Sequence, residues 1–513
     1  MNAPSRPGSQ LLPPIVAVLV LLLLALWNLG GPAAWWDEGW TLSVARNLVE
    51  RGHYGRLLAG EPAPGGLEAS PVVTLPVALA FELFGVGLWQ GRFFGALCTV
   101  GMLALSWWLA AQLFNRRIVW GTLAVLLLLS AHPQLNALLL GRQVLGELPM
   151  LLYALGGYAC LLAALRGSPF WLAPAVLLWW LAIEAKAQFL PFWVVSLVVP
   201  LPAALIWRHW RAAAILAAAF AATWVLRSPL TLLGLAAPAE RRMPGVAVDG
   251  LLEVIAIVPQ AFNRWYALQN VLFFAMPLLL GLGYGTWRAL MGLRRAPPDA
   301  AALVRLSMLA LAGSWLGWFL FLSVGVPRYL FPPVAIGAIF AAALLADLTE
   351  GYDLGATMRR LTALRRAPRA CAAGWLAVLL IATTMPLTIL GMLRYYSPTD
   401  TSSQRVAALL DQQVAPDQLI ETYESELHFF LNRRYHYPPD QTHVELNRRS
   451  LLQQEVTVNY DPLAADPDLL VVGTFARENQ LYDAVIAAGA FELLLRDGGY
   501  DVYRRVRLAE AIP

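Results

Sequence analysis

Trp35-Trp36-Asp37-Glu38-Gly39-Trp40-Thr41-Leu42-Ser43-Val44-Ala45-Arg46-Asn47-Leu48 follows directly on the first long apolar run of the chain, residues 11–30. On a helical reading Trp36, Trp40, Val44 and Leu48 recur every four residues and make one apolar stripe. Ser43, Arg46, Asn47, Glu50 and Arg51 fall mostly on the other side. An amphipathic helix that begins where a membrane segment has just surfaced is expected to lie in the interface, with its tryptophans at headgroup depth. Asp37 and Glu38 stand at its N-terminus, where the helix dipole favours negative charge. The plainest account of the two acids is a capped interfacial helix in contact with water.

The composition fits that reading. Of 513 residues, 58% are hydrophobic and 14% charged, and the mean hydropathy is +0.58. A soluble domain of this size is not so apolar over so much of its length, so the chain is expected to be a polytopic membrane protein. The net charge of +4 says little, because the placement of the charges matters more than their sum. Cys98, Cys160 and Cys371 lie inside apolar runs at spacings unsuited to a metal cluster and read as small core residues. Residues 1–10 followed by 11–29 resemble a signal peptide only superficially: the apolar run is too long and no small-residue cleavage site precedes the acidic pair, so an uncleaved first span is expected. No dinucleotide, P-loop or HExxH motif occurs, and neither nucleotide chemistry nor a nucleic-acid partner is expected.

Runs long enough to cross about 30 Å of hydrocarbon lie near 11–30, 91–114, 118–134, 144–165, 170–184, 187–207, 212–233, 268–290, 303–324, 329–348 and 372–393. This predicts an all-α fold of about eleven transmembrane helices with added juxtamembrane helices. Arg116-Arg117, Arg166, Arg208 with Arg211, Arg288 with Arg294-Arg295 and the Arg359–Arg369 cluster fall in alternate loops, which the positive-inside rule places in the cytoplasm. Loops 31–90, 134–143, 184–187, 234–267 and 325–328 then face outside. This holds only if the run 71–86 does not cross, so it is assigned to a second juxtamembrane helix bent by Pro71 and Pro76.

Several charges then meet at the outer face from separate loops: Asp37 and Glu38, Arg142 and Glu147, Glu184 and Lys186, and Arg328 beside Tyr329. Charges close to hydrocarbon are kept where they line a cavity or pair. Each has an ordinary account, with Arg142 pairing Glu147, Lys186 pairing Glu184 and Arg328 snorkelling. Together they describe a mixed acid and base cavity. The tryptophans, leucines and phenylalanines inside the spans are read as lipid contact and packing.

After Arg394 the chain turns polar, with Asp-Pro and Asp-Gly-Gly punctuation. Strands are expected at 417–423, 468–472, 491–495 and 500–506, the last two joined as a hairpin through Arg496-Asp497-Gly498-Gly499, with helices at about 402–413 and 478–489. The expected division is a transmembrane catalytic domain, residues 1–393 with the first outer loop 31–90, and a small extracytoplasmic α/β domain, 394–513.

The chain resembles the integral-membrane glycosyltransferases of the GT-C class, and within it the protein O-mannosyltransferases and the lipid A aminoarabinose transferase (ArnT-like) family. The resemblance spans most of residues 15–345. It rests on Asp37-Glu38 with Arg46 nine residues on, a Pro-led helix after that loop, an Arg142…Glu147 block after the third span, and Pro327-Arg328-Tyr329. It implies a sugar donor carried on polyprenyl phosphate and inverting transfer at the outer face to a lipid, glycan or protein acceptor. Carried over, it implies Asp37 as general base, and Glu38 and Glu147 as groups positioning acceptor, sugar or a divalent metal. Lys186, Arg328 and Tyr329, with Arg46 and Arg142, would hold the phosphate leaving group. Two features depart from the family pattern. Glu68-Ala69-Ser70-Pro71-Val72 carries no cation where relatives have His or Lys before a Pro-Pro pair, and Gly39-Trp40 stands where the aminoarabinose enzyme has an Arg. A flippase for a lipid-linked saccharide and a non-catalytic envelope scaffold are the competing functions; the first predicts paired broken spans near the midplane, and no internal repeat is seen. The Ala/Arg/Leu-rich composition points to a bacterial inner or plasma membrane protein among membrane lipids.

Overall fold

The computed structural model describes residues 12–64, 70–232, 256–258, 260–362, 367–397 and 400–507. Helices occupy all eleven places where the hydropathy pattern puts a span. They are α1 (Leu12–Leu26), then α2 (Trp36–Arg51) and α3 (Pro71–Phe84) in the first long loop, α4 (Leu88–Leu113) and α5 (Arg116–Leu128). Next come α6 (Glu147–Leu165), α7 (Leu172–Ala185), α8 (Phe189–Ile206), α9 (Trp210–Leu232), α10 (Ala261–Arg295), α11 (Ala300–Phe321), α12 (Pro327–Leu348) and α13 (Pro368–Tyr396). Among the described residues seven of these, α4, α6, α8 and α10 to α13, are long and apolar enough to cross a membrane. The chain is an integral membrane protein.

Why α12 lies at the centre is legible in its composition. Its Ala- and Gly-rich run Val334–Ala346 is almost wholly buried, and small residues let neighbouring backbones approach closely. A Cβ on Gly281 of α10 would stand 2.2 Å from the Ala341 nitrogen, so only glycine permits this crossing. The last helix, α13, is peripheral and turns Trp375, Leu379, Leu390 and Leu393 outward.

α3 has fourteen residues, about 21 Å at 1.5 Å each, and is not among the helices long and apolar enough to cross a membrane. It is N-capped by Ser70, whose Oγ accepts from the Val72 amide at 3.3 Å. Val73, Val77 and Phe81 are buried while Leu75, Leu79 and Leu83 form an exposed apolar stripe, the pattern expected of a helix lying against lipid.

Residues 402–505 build a five-stranded sheet. A small hairpin, β1 (Leu57–Leu58) with β2 (Glu61–Pro62), precedes it in the first loop; the sheet strands are β3 (Leu419–Thr422), β4 (Arg434–His436), β5 (Leu469–Val472), β6 (Phe491–Asp497) and β7 (Tyr500–Arg505). Their order is β4-β3-β5-β7-β6. β3 runs parallel to β4 and β5, and β7 antiparallel to β5 and β6. The hairpin and the helix Ser402–Gln413 (α14) fall where the sequence puts them. The short strand β4 and the helices α15 (Ser425–Phe430) and α16 (Asp440–Leu452) were not foreseen.

This C-terminal unit packs on α2, which corrects the reading of α2 as an interfacial helix. The Trp36 ring stacks on His443 at 4.9 Å between centroids, and its Nε1 donates to the Tyr423 carbonyl at 2.7 Å. Trp40 meets His428 at 5.1 Å and Tyr437 at 5.4 Å, with the Arg56 guanidinium 4.9 Å from its centroid. A Cβ on Gly39 would lie 2.3 Å from the Ser425–Glu426 backbone. The stripe is buried by protein, not by headgroups, because a period-four apolar face is the same whichever apolar surface covers it.

Candidate active site

Four charged side chains from four separate segments converge at the end of the bundle that carries the C-terminal unit. Asp37 comes from the first turn of α2, Glu147 from the first residue of α6, Lys186 from the turn after α7, and Arg328 from the start of α12. Lys186 Nζ lies 2.7 Å from Glu147 Oε1. Arg328 ion-pairs with Asp37 through Nη1 and brings Nε to 3.6 Å of Glu147 Oε1. The Tyr329 ring supports both cations, 5.3 Å from Lys186 Nζ and 5.4 Å from the Arg328 guanidinium carbon. Trp35 closes the other side at 5.3 Å from Arg328.

These groups line a cavity of about 170 Å³, together with Thr41, Ser70, Gly146 and the α6 N-terminus. Local structure explains the placement. Gly146 precedes α6, and a Cβ there would meet the Ala185 carbonyl at 2.3 Å, so the start of α6 and the α7–α8 turn touch backbone to backbone. Ser70 Oγ donates to the Glu184 carbonyl at 2.6 Å, tying α3 to the same turn. Asp37 is 30% exposed whereas Glu147 is 2% exposed, so the acid at the rim is the one a diffusing molecule meets.

Glu38, next to Asp37 in sequence, has a different environment. Its carboxylate takes both Arg92 Nε at 2.7 Å and Nη2 at 2.8 Å, and accepts also from the Trp35 and Val144 amides at 3.0 and 3.3 Å. Both side chains are buried, at 0 and 1% exposure. The other Arg92 donors reach the Leu29, Pro32 and Ala33 carbonyls at 2.8–3.0 Å. Glu38 therefore braces α2 against α4 and the end of the first span. It has no lone pair left for acceptor or metal. Glu147 faces two cations, which leaves it equally ill suited to a divalent ion, and among the described residues no group of three or more His, Cys, Asp or Glu is placed to hold a metal. Arg92 was missed at the sequence level, although an arginine a few residues into an apolar run signals a buried partner.

Arg46 and Arg142 stand away from the cluster. Arg46 donates to the Phe429 and Leu431 carbonyls at 2.6 and 3.0 Å and pairs with Glu50 at 2.8 Å, so it docks the C-terminal unit. Arg142 does not pair with Glu147. It donates to the Trp27 and Asn28 carbonyls beyond α1 and to the Tyr395 carbonyl of α13, with its guanidinium 4.7 Å from the Tyr396 ring. Burial lowers its pKa to about 10. With Arg92, Gln143, Arg394 and Trp35 it lines a second, larger cavity of about 1050 Å³ whose other walls are Phe274, Leu387 and Leu390. Trp35, in the wall of this larger cavity, also packs against Arg328 of the smaller one.

Where the C-terminal unit packs on α2 lie Glu424 and Glu426. Burial first, and Glu426 second, raise the Glu424 carboxyl above the usual carboxylate range; burial likewise raises Glu426. Tyr500 donates to Glu426 at 2.6 Å and the Ala476 amide to Glu424 at 2.8 Å.

No family model matches the chain, and no curated protein sequence does. Solved structures do. Crystalline ArnT from Cupriavidus metallidurans bound to undecaprenyl phosphate superposes with a TM-score of 0.63 over 98% of this chain and 99% of that one, at 16% identity. The chain has the GT-C fold. A second likeness of this fold is the oligosaccharyltransferase AglB from Archaeoglobus fulgidus in complex with an inhibitory peptide and a dolichol phosphate, with a TM-score of 0.55, 11% identity, and 97% of this chain against 74% of that one covered. The ArnT-like resemblance thus holds over nearly the whole length, the C-terminal sheet included.

Proposed function

We propose that the protein is an inverting glycosyltransferase that moves a sugar from a polyprenyl-phosphate donor to an acceptor at the extracytoplasmic face. The convergence of Asp37, Glu147, Lys186 and Arg328 from four segments in one cavity carries this reading, and the fold shared with ArnT and AglB, whose structures hold undecaprenyl phosphate and dolichol phosphate, supports it. Eleven crossings put the arginine-bearing loops in the cytoplasm and the cluster and C-terminal unit outside. On the same reading the chain divides near residue 393 into a membrane catalytic part and an α/β part that packs on α2, the helix that carries Asp37.

The cluster is neutral as it stands, two cations against two acids. A donor phosphate entering it competes with Asp37 and Glu147 for Arg328 and Lys186. Guanidinium and ammonium groups suit that role because negative charge grows on the phosphate as the bond to the anomeric carbon breaks. Arg328, once drawn to the phosphate, releases Asp37. The freed carboxylate takes the proton of the acceptor hydroxyl as its oxygen bonds to the anomeric carbon from the opposite side, and polyprenyl phosphate leaves with the former bonding pair. Donor binding thus arms the base. Glu147 keeps Lys186 oriented, and no metal is needed to balance the charge.

The test is binding of polyprenyl phosphate to the purified protein beside Lys186→Ala and Arg328→Ala. A sharp loss in both variants is expected. A wild-type protein that does not bind, or variants that bind equally well, overturns the donor assignment and favours the scaffold.

A further inference from the structure

The opposite end of the bundle carries a second set of arginines that the transfer reaction does not use. α4 ends there at Leu113, α10 at Arg295, and α11 and α12 have respectively their first and last turns there. Between these helices are two adjoining cavities, about 380 and 650 Å³, that share Phe114, Arg288 and Arg305 as walls.

The lining is amphiphilic. Leu293, Leu306 and Phe340 give one cavity an apolar floor, while Arg117 and Asn115 rim the other. Arg305 sits five residues into α11, half-buried, with Nη1 donating to the Leu113 carbonyl and its guanidinium 5.5 Å from the Phe114 ring. Among the described residues no carboxylate ion-pairs with Arg305 or Arg117. The nearby acids are engaged: Asp347 with Arg288 at 3.1 Å, Glu350 with Arg360, and Asp299 with the Ala302 amide at 2.7 Å as the cap of α11. A guanidinium at membrane depth without a carboxylate is costly unless something anionic completes it.

We propose that this cleft binds the phosphate of an anionic membrane phospholipid, held by Arg305 and Arg288 with its acyl chains on the apolar floor. Basic pockets between spans on the cytoplasmic side are built for such headgroups. A lipid is favoured over a soluble phosphate because the two arginines share one cavity with Leu293, Leu306 and Phe340, apolar side chains that an attached hydrocarbon chain would cover. Occupancy would fasten α10, α11 and α4 together at the end remote from the cluster, so its loss is not expected to alter donor binding.

Native mass spectrometry of the full chain in mixed phosphatidylglycerol and phosphatidylcholine micelles tests this. Wild type is expected to retain one phosphatidylglycerol in preference to phosphatidylcholine. Each of Arg305→Gln and Arg288→Gln should weaken retention about fivefold, as expected for one arginine near an anionic lipid. Arg305→Lys should keep most of it, which separates lost charge from lost fold. Equal retention of the two lipids by wild type, unchanged retention in Arg305→Gln, or displacement by millimolar inorganic phosphate would each overturn the proposal, the last in favour of a soluble phosphate ligand.

Discussion

Asp37 and Glu38 are neighbours in sequence with opposite surroundings. Glu38 is sealed against Arg92 and satisfied on every side, whereas Asp37 stands at the rim of a cavity with one cation beside it. Successive residues on a helix point about 100° apart, so one acid faces the protein interior and the other the chamber. The difference separates a brace from the group proposed as base: a buried, fully bonded charge resists exchange, and a half-open one can trade partners with a ligand.

The largest effect should come from breaking the brace. Arg92→Ala leaves a buried carboxylate without its cation, which typically costs about 3–5 kcal/mol, and should be seen as lost folded yield or a lower unfolding temperature in detergent. Replacing both partners together, Glu38→Leu with Arg92→Leu, should recover much of that loss; no recovery would mean that the bonds of Arg92 to the Leu29, Pro32 and Ala33 carbonyls matter more than the pair.

On the open side, Asp37→Asn should leave the unfolding temperature nearly unchanged and lower transfer by roughly 10²- to 10⁴-fold, the range for a lost general base. Near-normal turnover would remove Asp37 from that role. Lys186→Ala should weaken donor phosphate binding about tenfold or more, as expected for a hydrogen bond to a charged group, with a smaller loss of stability because Arg328 still faces the buried Glu147. Titration of bound polyprenyl phosphate checks it.

The acids where the C-terminal unit meets α2 make the comparison sensitive to pH. The Glu424 and Glu426 carboxyls are raised in the folded protein, so it holds protons that the unfolded chain gives up. Their contribution is full below the ordinary carboxyl range and is lost as pH rises through the raised values. His428 runs the other way: burial lowers it to about 3, so its contribution is present above its ordinary range near 6.5 and is lost as pH falls. Unfolding temperature should therefore drop towards alkaline pH, and less so in Glu424→Gln; a flat profile would show that these acids do not limit stability. The smallest change is Trp36→Phe, which removes the bond to the Tyr423 carbonyl and should cost about 1 kcal/mol, measured by thermal unfolding.

Much of this was legible beforehand. Apolar run length located helices at all eleven places, seven of them long and apolar enough to cross a membrane among the described residues, because a span must be long and apolar whatever it packs against. Run length and the alternation of arginine loops also placed Asp37, Glu147, Lys186 and Arg328 on one face. Alternating apolar residues and the Asp-Gly-Gly turn located the hairpin of the C-terminal sheet. The partners of the charges were not legible: Arg46 and Arg142 stood as further candidates for the phosphate beside Lys186 and Arg328, and Arg142 as a partner of Glu147.

The sequence by itself determined the class of fold and the end of the bundle where the charged cluster lies, since both follow from hydropathy and charge along the chain. Only the tertiary structure decided that α2 is roofed by the C-terminal unit instead of lipid, that Glu38 belongs to Arg92, and that Arg142 lines a second cavity away from Glu147. Pairings across 54 to 389 residues depend on how helices cross, and a local pattern is the same for every crossing that buries it.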